Sequence, residues 1–114
     1  MTISETTATW VDVAAVDELT PGRGVAALVG GQQVAIFLVG DGELFAVDNL
    51  DPFSGAHVMS RGIVGDRDGV PKVASPMYKQ SFDLRTGRCL DDDEVALTVH
   101  PVRVEAGRVR VAVP

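Results

Sequence analysis

The chain has 114 residues, 46% of them hydrophobic and one a cysteine, which suits one compact domain and leaves no room for a second of ordinary size. Sixteen acidic against ten basic side chains give a net charge of −6, which opposes a phosphate backbone and sets nucleic acid aside as a partner. The lone Cys89 excludes an internal disulfide and a multi-cysteine metal cage built by one chain, and reads as a small buried apolar residue.

In chain order, Met1 to Thr9 (MTISETTAT) is polar and reads as a disordered tail before a domain spanning 10–114. It lacks the apolar stretch of a secretory signal. The longest apolar run, Val34 to Val39, has six residues, far short of a membrane span, so a cytoplasmic protein with no membrane partner is expected. Trp10 opens the first strand as a core residue. Val13 to Leu19 is the only stretch able to make a helical turn, stopped by Thr20-Pro21-Gly22. Strands follow at Val25 to Val29, Gln33 to Val39 and Glu43 to Asp48, with turns at Gly30-Gly31 and Asp41-Gly42. Asn49 to Pro71 is too long and irregular for a hairpin, and loops of that length in a compact domain are usually functional or mobile. Further strands are predicted at Lys72 to Ser75, Ser81 to Leu84, Leu97 to Glu105 and Arg108 to Val113, with turns at Thr86-Gly87 and Ala106-Gly107. In the last two strands Val102, Val104, Val109, Val111 and Val113 alternate with charged residues, so one face is buried and the other wet. The pattern predicts an all-β domain, a small antiparallel sandwich or barrel with a long inserted loop.

Charge is uneven. Arg61, Arg67, Lys72, Lys79, Arg85 and Arg88 face only Asp66, Asp68 and Asp83 in the same stretch, as a solvated surface or a docking surface. Asp91 to Glu94 form an acidic run without the glycine and spacing of a calcium loop, and read as a solvated turn. His57 and His100 have no metal-site spacing. His57 suits a hydrogen bond to loop backbone, and His100 points to solvent or to a neighbouring side chain. The sequence has no phosphate-binding loop, dinucleotide fingerprint or hydrolase nucleophile motif, and no catalytic residue is assigned.

Two proline corners stand apart: Asp51-Pro52-Phe53 and Ser75-Pro76-Met77-Tyr78, the second followed by Phe82-Asp83-Leu84-Arg85-Thr86-Gly87. This frame resembles Rieske domains, which hold a [2Fe–2S] cluster between Cys-Pro-His and Cys-Pro-x-His loops. The resemblance puts the ligand positions at Asp51, Phe53, Ser75 and Tyr78. A Rieske centre needs two thiolates and two imidazoles, and these four residues supply neither, so no cofactor and no metal is expected in this chain. The residues between and beyond the corners, Ser54-Gly55-Ala56, Ser60 to Asp66, Val73-Ala74, Tyr78-Lys79-Gln80 and Phe82 to Asp91, resemble the small subunit of assimilatory, cytoplasmic NAD(P)H-dependent nitrite reductases. That family implies a Rieske-type, iron–sulfur-protein-like fold with its ligands replaced. It further implies a partner, the large catalytic subunit, holding FAD, siroheme and [4Fe–4S] and reducing nitrite to ammonia in nitrate assimilation. This chain would then be an accessory subunit, non-catalytic by itself. The alternatives are a Rieske-type ferredoxin electron carrier and a clusterless adaptor for another oxidoreductase.

Something must bridge the corners where a cluster would. Phe53 and Tyr78 can fill the space by packing, while Asp51 and Ser75 can hydrogen-bond across the loops or to loop amides. By the resemblance Phe53 and Tyr78 lie at the tip and Asp51 and Ser75 deeper. The outer rim is either a structural plug or a docking surface, with Phe53, Met59, Arg61, Met77, Tyr78 and Lys79 as the interface candidates.

Overall fold

The computed structural model describes residues 9–40 and 42–113. In chain order the strands are β1 (Thr9–Ala15), β2 (Val25–Val29), β3 (Gln32–Val39), β4 (Glu43–Asp48), β5 (Ile63–Arg67), β6 (Val70–Ala74), β7 (Ser81–Asp83), β8 (Val99–His100), β9 (Val102–Glu105) and β10 (Arg108–Val113). They pair antiparallel in three sheets of order β1-β10-β9, β2-β3-β4-β8 and β5-β6-β7. The all-β fold agrees with the sequence pattern.

β3 explains the arrangement. Its register sets Ala35 opposite Val47, Ile36 opposite Ala46 and Phe37 opposite Phe45. Because side chains alternate across a sheet, Val34, Ile36 and Ala46 face one way and pack with Val29, Val109 and Val111. Ala35, Phe37, Phe45 and Val47 face the other way and pack with Met59, Val73, Phe82, Leu84 and Cys89. The sheet β2-β3-β4-β8 is therefore covered on both faces. A strand so placed must be apolar at every position, which is why Val34 to Val39 is an unbroken run rather than an alternating one.

The structure corrects several expectations. Leu97 to Glu105 is not one strand: Pro101 has no N–H to donate and marks a change of sheet, with His100 paired to Ala46 and Val102 to Val111. Val104, on the edge strand β9, is 47% exposed rather than buried. The irregular loop is shorter than it looked, since 49–71 contains a 3₁₀ turn at Met59–Arg61, all of β5 and the start of β6. Asp68 and Gly69 close that hairpin with φ of 54° and 84°, the signature of a two-residue type I′ turn. The helical stretch shrinks to a 3₁₀ turn at Val16–Glu18, and β1 starts at Thr9, inside the expected tail. The rest of that tail, and Asp41 of the Asp41-Gly42 turn, lie outside the described residues. Trp10 is half-buried, its ring covered by the Arg103 guanidinium at 4.0 Å.

Candidate functional site

Three corners of this fold share one construction, and two of them are the proline corners. In each, the first residue gives its N–H to the carbonyl five positions on and accepts at its own carbonyl from the N–H four positions on. For Asp51 these bonds are to Ala56 O and from Gly55 N, both 2.8 Å; for Ser75, to Gln80 O at 2.9 Å and from Lys79 N at 3.0 Å; for Asp83, to Arg88 O at 2.8 Å and from Gly87 N at 2.7 Å. The first side chain also accepts from the N–H two positions on: Phe53 N to Asp51 Oδ1, 2.9 Å; Met77 N to Ser75 Oγ, 3.2 Å; Arg85 N to Asp83 Oδ1, 2.8 Å. A strand-like pair flanks each corner, Leu50 with His57, Ala74 with Ser81 and Phe82 with Cys89. Asp and Ser favour such turns because their side chains satisfy nearby backbone amides. The fifth position is left-handed in all three, Gly55 at φ 76°, Lys79 at 64° and Gly87 at 81°. Glycine takes that conformation at no steric cost; Lys79 does not.

One hydrogen bond joins the proline corners. The Ser75 hydroxyl donates to Asp51 Oδ2 at 2.7 Å, and the Ser54 hydroxyl donates to the same oxygen at 2.9 Å. Asp51 and Ser75 are 0% and 1% exposed. Burial pushes the Asp51 carboxyl up, but the hydrogen bonds from Ser75, from Phe53 N–H and from Ser54 together outweigh it and hold the group below its ordinary value. An ionised, hydrogen-bonded carboxylate thus lies between the corners.

The other candidates separate. Phe53 is half-buried, its ring centroid 6.1 Å from that of Phe82 at a 49° tilt, and it packs on the core. Tyr78 and Met77 are 60% and 50% exposed, so Tyr78 does not help fill the space between the loops. Arg61 and Lys79 are exposed. Met59 has no place at the surface: it is fully buried among Phe37, Val73 and Phe82, because its 3₁₀ turn is pinned by a bond from Met59 N–H to Asn49 O at 3.0 Å.

Asn49, unremarked in the sequence, ties the 3₁₀ turn at Met59–Arg61 to the start of β3. It is buried, accepts the Ser60 N–H at Oδ1 (2.8 Å) and donates to Gln33 Oε1 (3.1 Å). Its only sequence signal is an Asn closing a strand before an irregular stretch. Two further exposed apolar residues flank the corners, Leu50 paired with His57 at the first and Ile63 paired with Ala74 beside the second. Asp91 is no free acid; it accepts the Ser81 N–H at 2.8 Å and pairs with Arg67 at 3.5 Å. His100 is buried with Nε2 2.8 Å from Asp48 Oδ1, whereas His57 is exposed. Among the described residues no group of three or more His, Cys, Asp or Glu could hold a metal ion.

Residues 9–112 match the family of Rieske-like [2Fe-2S] domains, the class that the two joined corners and the all-β frame define. The nitrite reductase (NADH) small subunit of Salmonella typhimurium is 41% identical over 103 residues, 90% of this chain and 95% of that protein. A crystal structure from Mycobacterium tuberculosis, described as an NADH-dependent nitrite reductase small subunit, superposes with a TM-score of 0.92 at 53% identity, covering 94% of this chain and 96% of that one. The nitrite reductase [NAD(P)H] large subunit of Klebsiella oxytoca is 44% identical over 102 residues, 90% of this chain but 11% of that protein. The chain belongs to the Rieske-like family and, within it, to the nitrite reductase small subunits. No helix among the described residues is long and apolar enough to cross a membrane.

Proposed function

We propose that this chain is the accessory small subunit of a cytoplasmic NAD(P)H-dependent nitrite reductase of nitrate assimilation, acting by association with the large catalytic subunit and carrying no cluster of its own. The observation that carries the partnership is the Klebsiella oxytoca relative, in which a segment like this chain is covalently part of a large subunit. The redox chemistry then belongs to the partner's FAD, siroheme and [4Fe–4S].

The Rieske-like family implies a [2Fe–2S] centre, and the donors between the corners do not fit one. Phe53 offers no ligand atom. Asp51 and Ser75 spend their oxygens on each other and on loop amides, and Tyr78 is mostly exposed. Two thiolates and two imidazoles have no equivalents here. This weighs against the ferredoxin reading.

The docking surface is the tip: Met77 and Tyr78, with Phe53 beneath and Arg61 and Lys79 at the rim. Exposed apolar patches ringed by polar groups mark interaction sites. The test is anaerobic purification, alone and with the large subunit. The isolated chain should contain neither iron nor acid-labile sulfide, reduce no nitrite with NADH or an artificial donor, and co-purify with the large subunit when co-expressed. Stoichiometric iron with a Rieske-type EPR signal would sink the clusterless reading.

A further inference from the structure

Most arginines along this molecule's sheets have acidic partners. Arg108 pairs with Asp12 at 2.7 Å, Arg67 with Asp91 at 3.5 Å, and Arg103 and Arg110 share Glu105 at 3.2 and 3.7 Å. Arg85 and Arg88, at the Asp83 corner, have no carboxylate within 4.0 Å among the described residues, and neither do Arg23 and Arg61, although the chain carries more acidic than basic groups. Arg23 and Arg61 line a single cleft, between the turn preceding β2 and the 3₁₀ turn preceding β5, whose other walls are Gly22, Gly24, Ser60 and Gly62.

The cleft is held by backbone, not by its arginines. Gly22 N–H donates to Leu38 O at 2.8 Å, Arg23 N–H to Thr20 O at 3.0 Å, Arg61 N–H to Val58 O and Gly62 N–H to Met59 O, both at 2.9 Å. Ser60 N–H is taken by Asn49. The two turns approach so closely that a Cβ on Gly24 would lie 2.3 Å from Ser60 O, and Gly62 is pressed on β6, where a Cβ would lie 2.6 Å from Ala74 O. The walls are thus fixed, and among the described residues that line the cleft the charged groups are two exposed guanidinium groups.

We propose that this cleft receives a carboxylate side chain of the large subunit when the tip docks, an inference that rests on the docking reading above. On the docking reading Arg61 stands at the rim of the tip, and Gly62 leads into Ile63, which pairs with Ala74 immediately before the second corner. The chemistry selects a carboxylate. A guanidinium fork matches a planar two-oxygen anion. A phosphate cradle would need several backbone N–H groups turned into the cleft, and those of Gly22, Arg23, Ser60, Arg61 and Gly62 are spent within the fold, which leaves at most that of Gly24. Two cations on an acidic molecule are too few for a nucleic-acid backbone.

The experiment measures binding of the full chain to the purified large subunit across a range of salt, with melting temperature as a control on folding. R23Q/R61Q should keep the wild-type melting temperature, since both side chains are exposed. It should bind about tenfold more weakly at low salt, mostly through a slower association rate, and lose much of the salt dependence. R23K/R61K keeps the charge without the fork and should recover part of the loss. M77S/Y78S, measured in parallel, separates this proposal from the docking reading. If M77S/Y78S weakens binding and R23Q/R61Q changes neither affinity nor salt dependence, the cleft proposal falls and the apolar tip stands. If only R23Q/R61Q weakens binding, the partner engages the cleft without the apolar tip, and the joint docking proposed here falls. If neither does, both fall.

Discussion

Removing the Ser75 hydroxyl would take one of the hydrogen bonds from the buried Asp51 carboxylate and leave Met77 N–H without its acceptor. Bonds to a charged group are worth about 1.5–3 kcal/mol, so Ser75→Ala should destabilise by about 2 kcal/mol in denaturant unfolding. The same carboxylate sets a pH dependence. Its folded pKa lies below the ordinary 3.8, so as pH falls the unfolded chain takes up the proton first. The contribution is complete above the unfolded value and disappears as pH drops through the folded one. The stability gap between wild type and Asp51→Asn should therefore be constant near neutrality and close in acid below 3.8; a gap unchanged down to the lowest pH that keeps the fold would contradict an ionised Asp51. The two rings part in the same way. Phe53→Ala removes a side chain packed on Phe82 and should cost about 2–4 kcal/mol, whereas Tyr78→Ala, at an exposed position, should fall within about 0.5 kcal/mol of wild type. Equal costs would return Tyr78 to the plug.

Among the elements, the turns are where residue chemistry and backbone disagree most usefully. β9 and β10 are joined by Ala106-Gly107 with φ of 52° and 77°, which forces an alanine into a conformation that asparagine tolerates better. Ala106→Asn should raise stability by about 0.5–1 kcal/mol, read from the denaturation midpoint; a loss would show that alanine is held there by contacts rather than tolerated. Strands with a strong local signal were legible: β2, β4 and β10 fall where Val, Leu and Phe runs meet Gly turns. β5 was not. Its sequence, Ile-Val-Gly-Asp-Arg, has one exposed isoleucine, a glycine and two charges, and it is a strand because β6 pairs with it and Asp68-Gly69 turns the chain. The corners were legible as positions, and the resemblance also allowed the hydrogen bond that Asp51 and Ser75 make across them. That Asp51 and Ser75 meet follows from the fold bringing residues 24 apart together, whereas the depth of Met59 depends on Asn49, to which no periodicity points.

At the scale of the whole molecule, the second corner and Ile63 stand on the sheet β5-β6-β7, which packs through Val73 and Phe82 on one face of β2-β3-β4-β8 and leaves Met77, Tyr78 and Ile63 exposed. On the docking reading, Arg61 and Lys79 are basic groups on a molecule of negative net charge, and encounter with a partner would be oriented by field as well as by shape. The shape of the tip has a source within the chain. The Asp83 corner, which stands in no ligand position, is built from the same bonds as the two that do. Each corner therefore closes with groups already present in its own six residues, and the link between them is a hydroxyl and a carboxylate. Maturation of this chain should then be independent of iron delivery. Refolding from denaturant with a strong chelator present should give the same amplitude and rate as without it, and cells starved of iron should accumulate the chain as folded as replete ones. A metal-dependent refolding yield would place the closure of the tip outside the polypeptide.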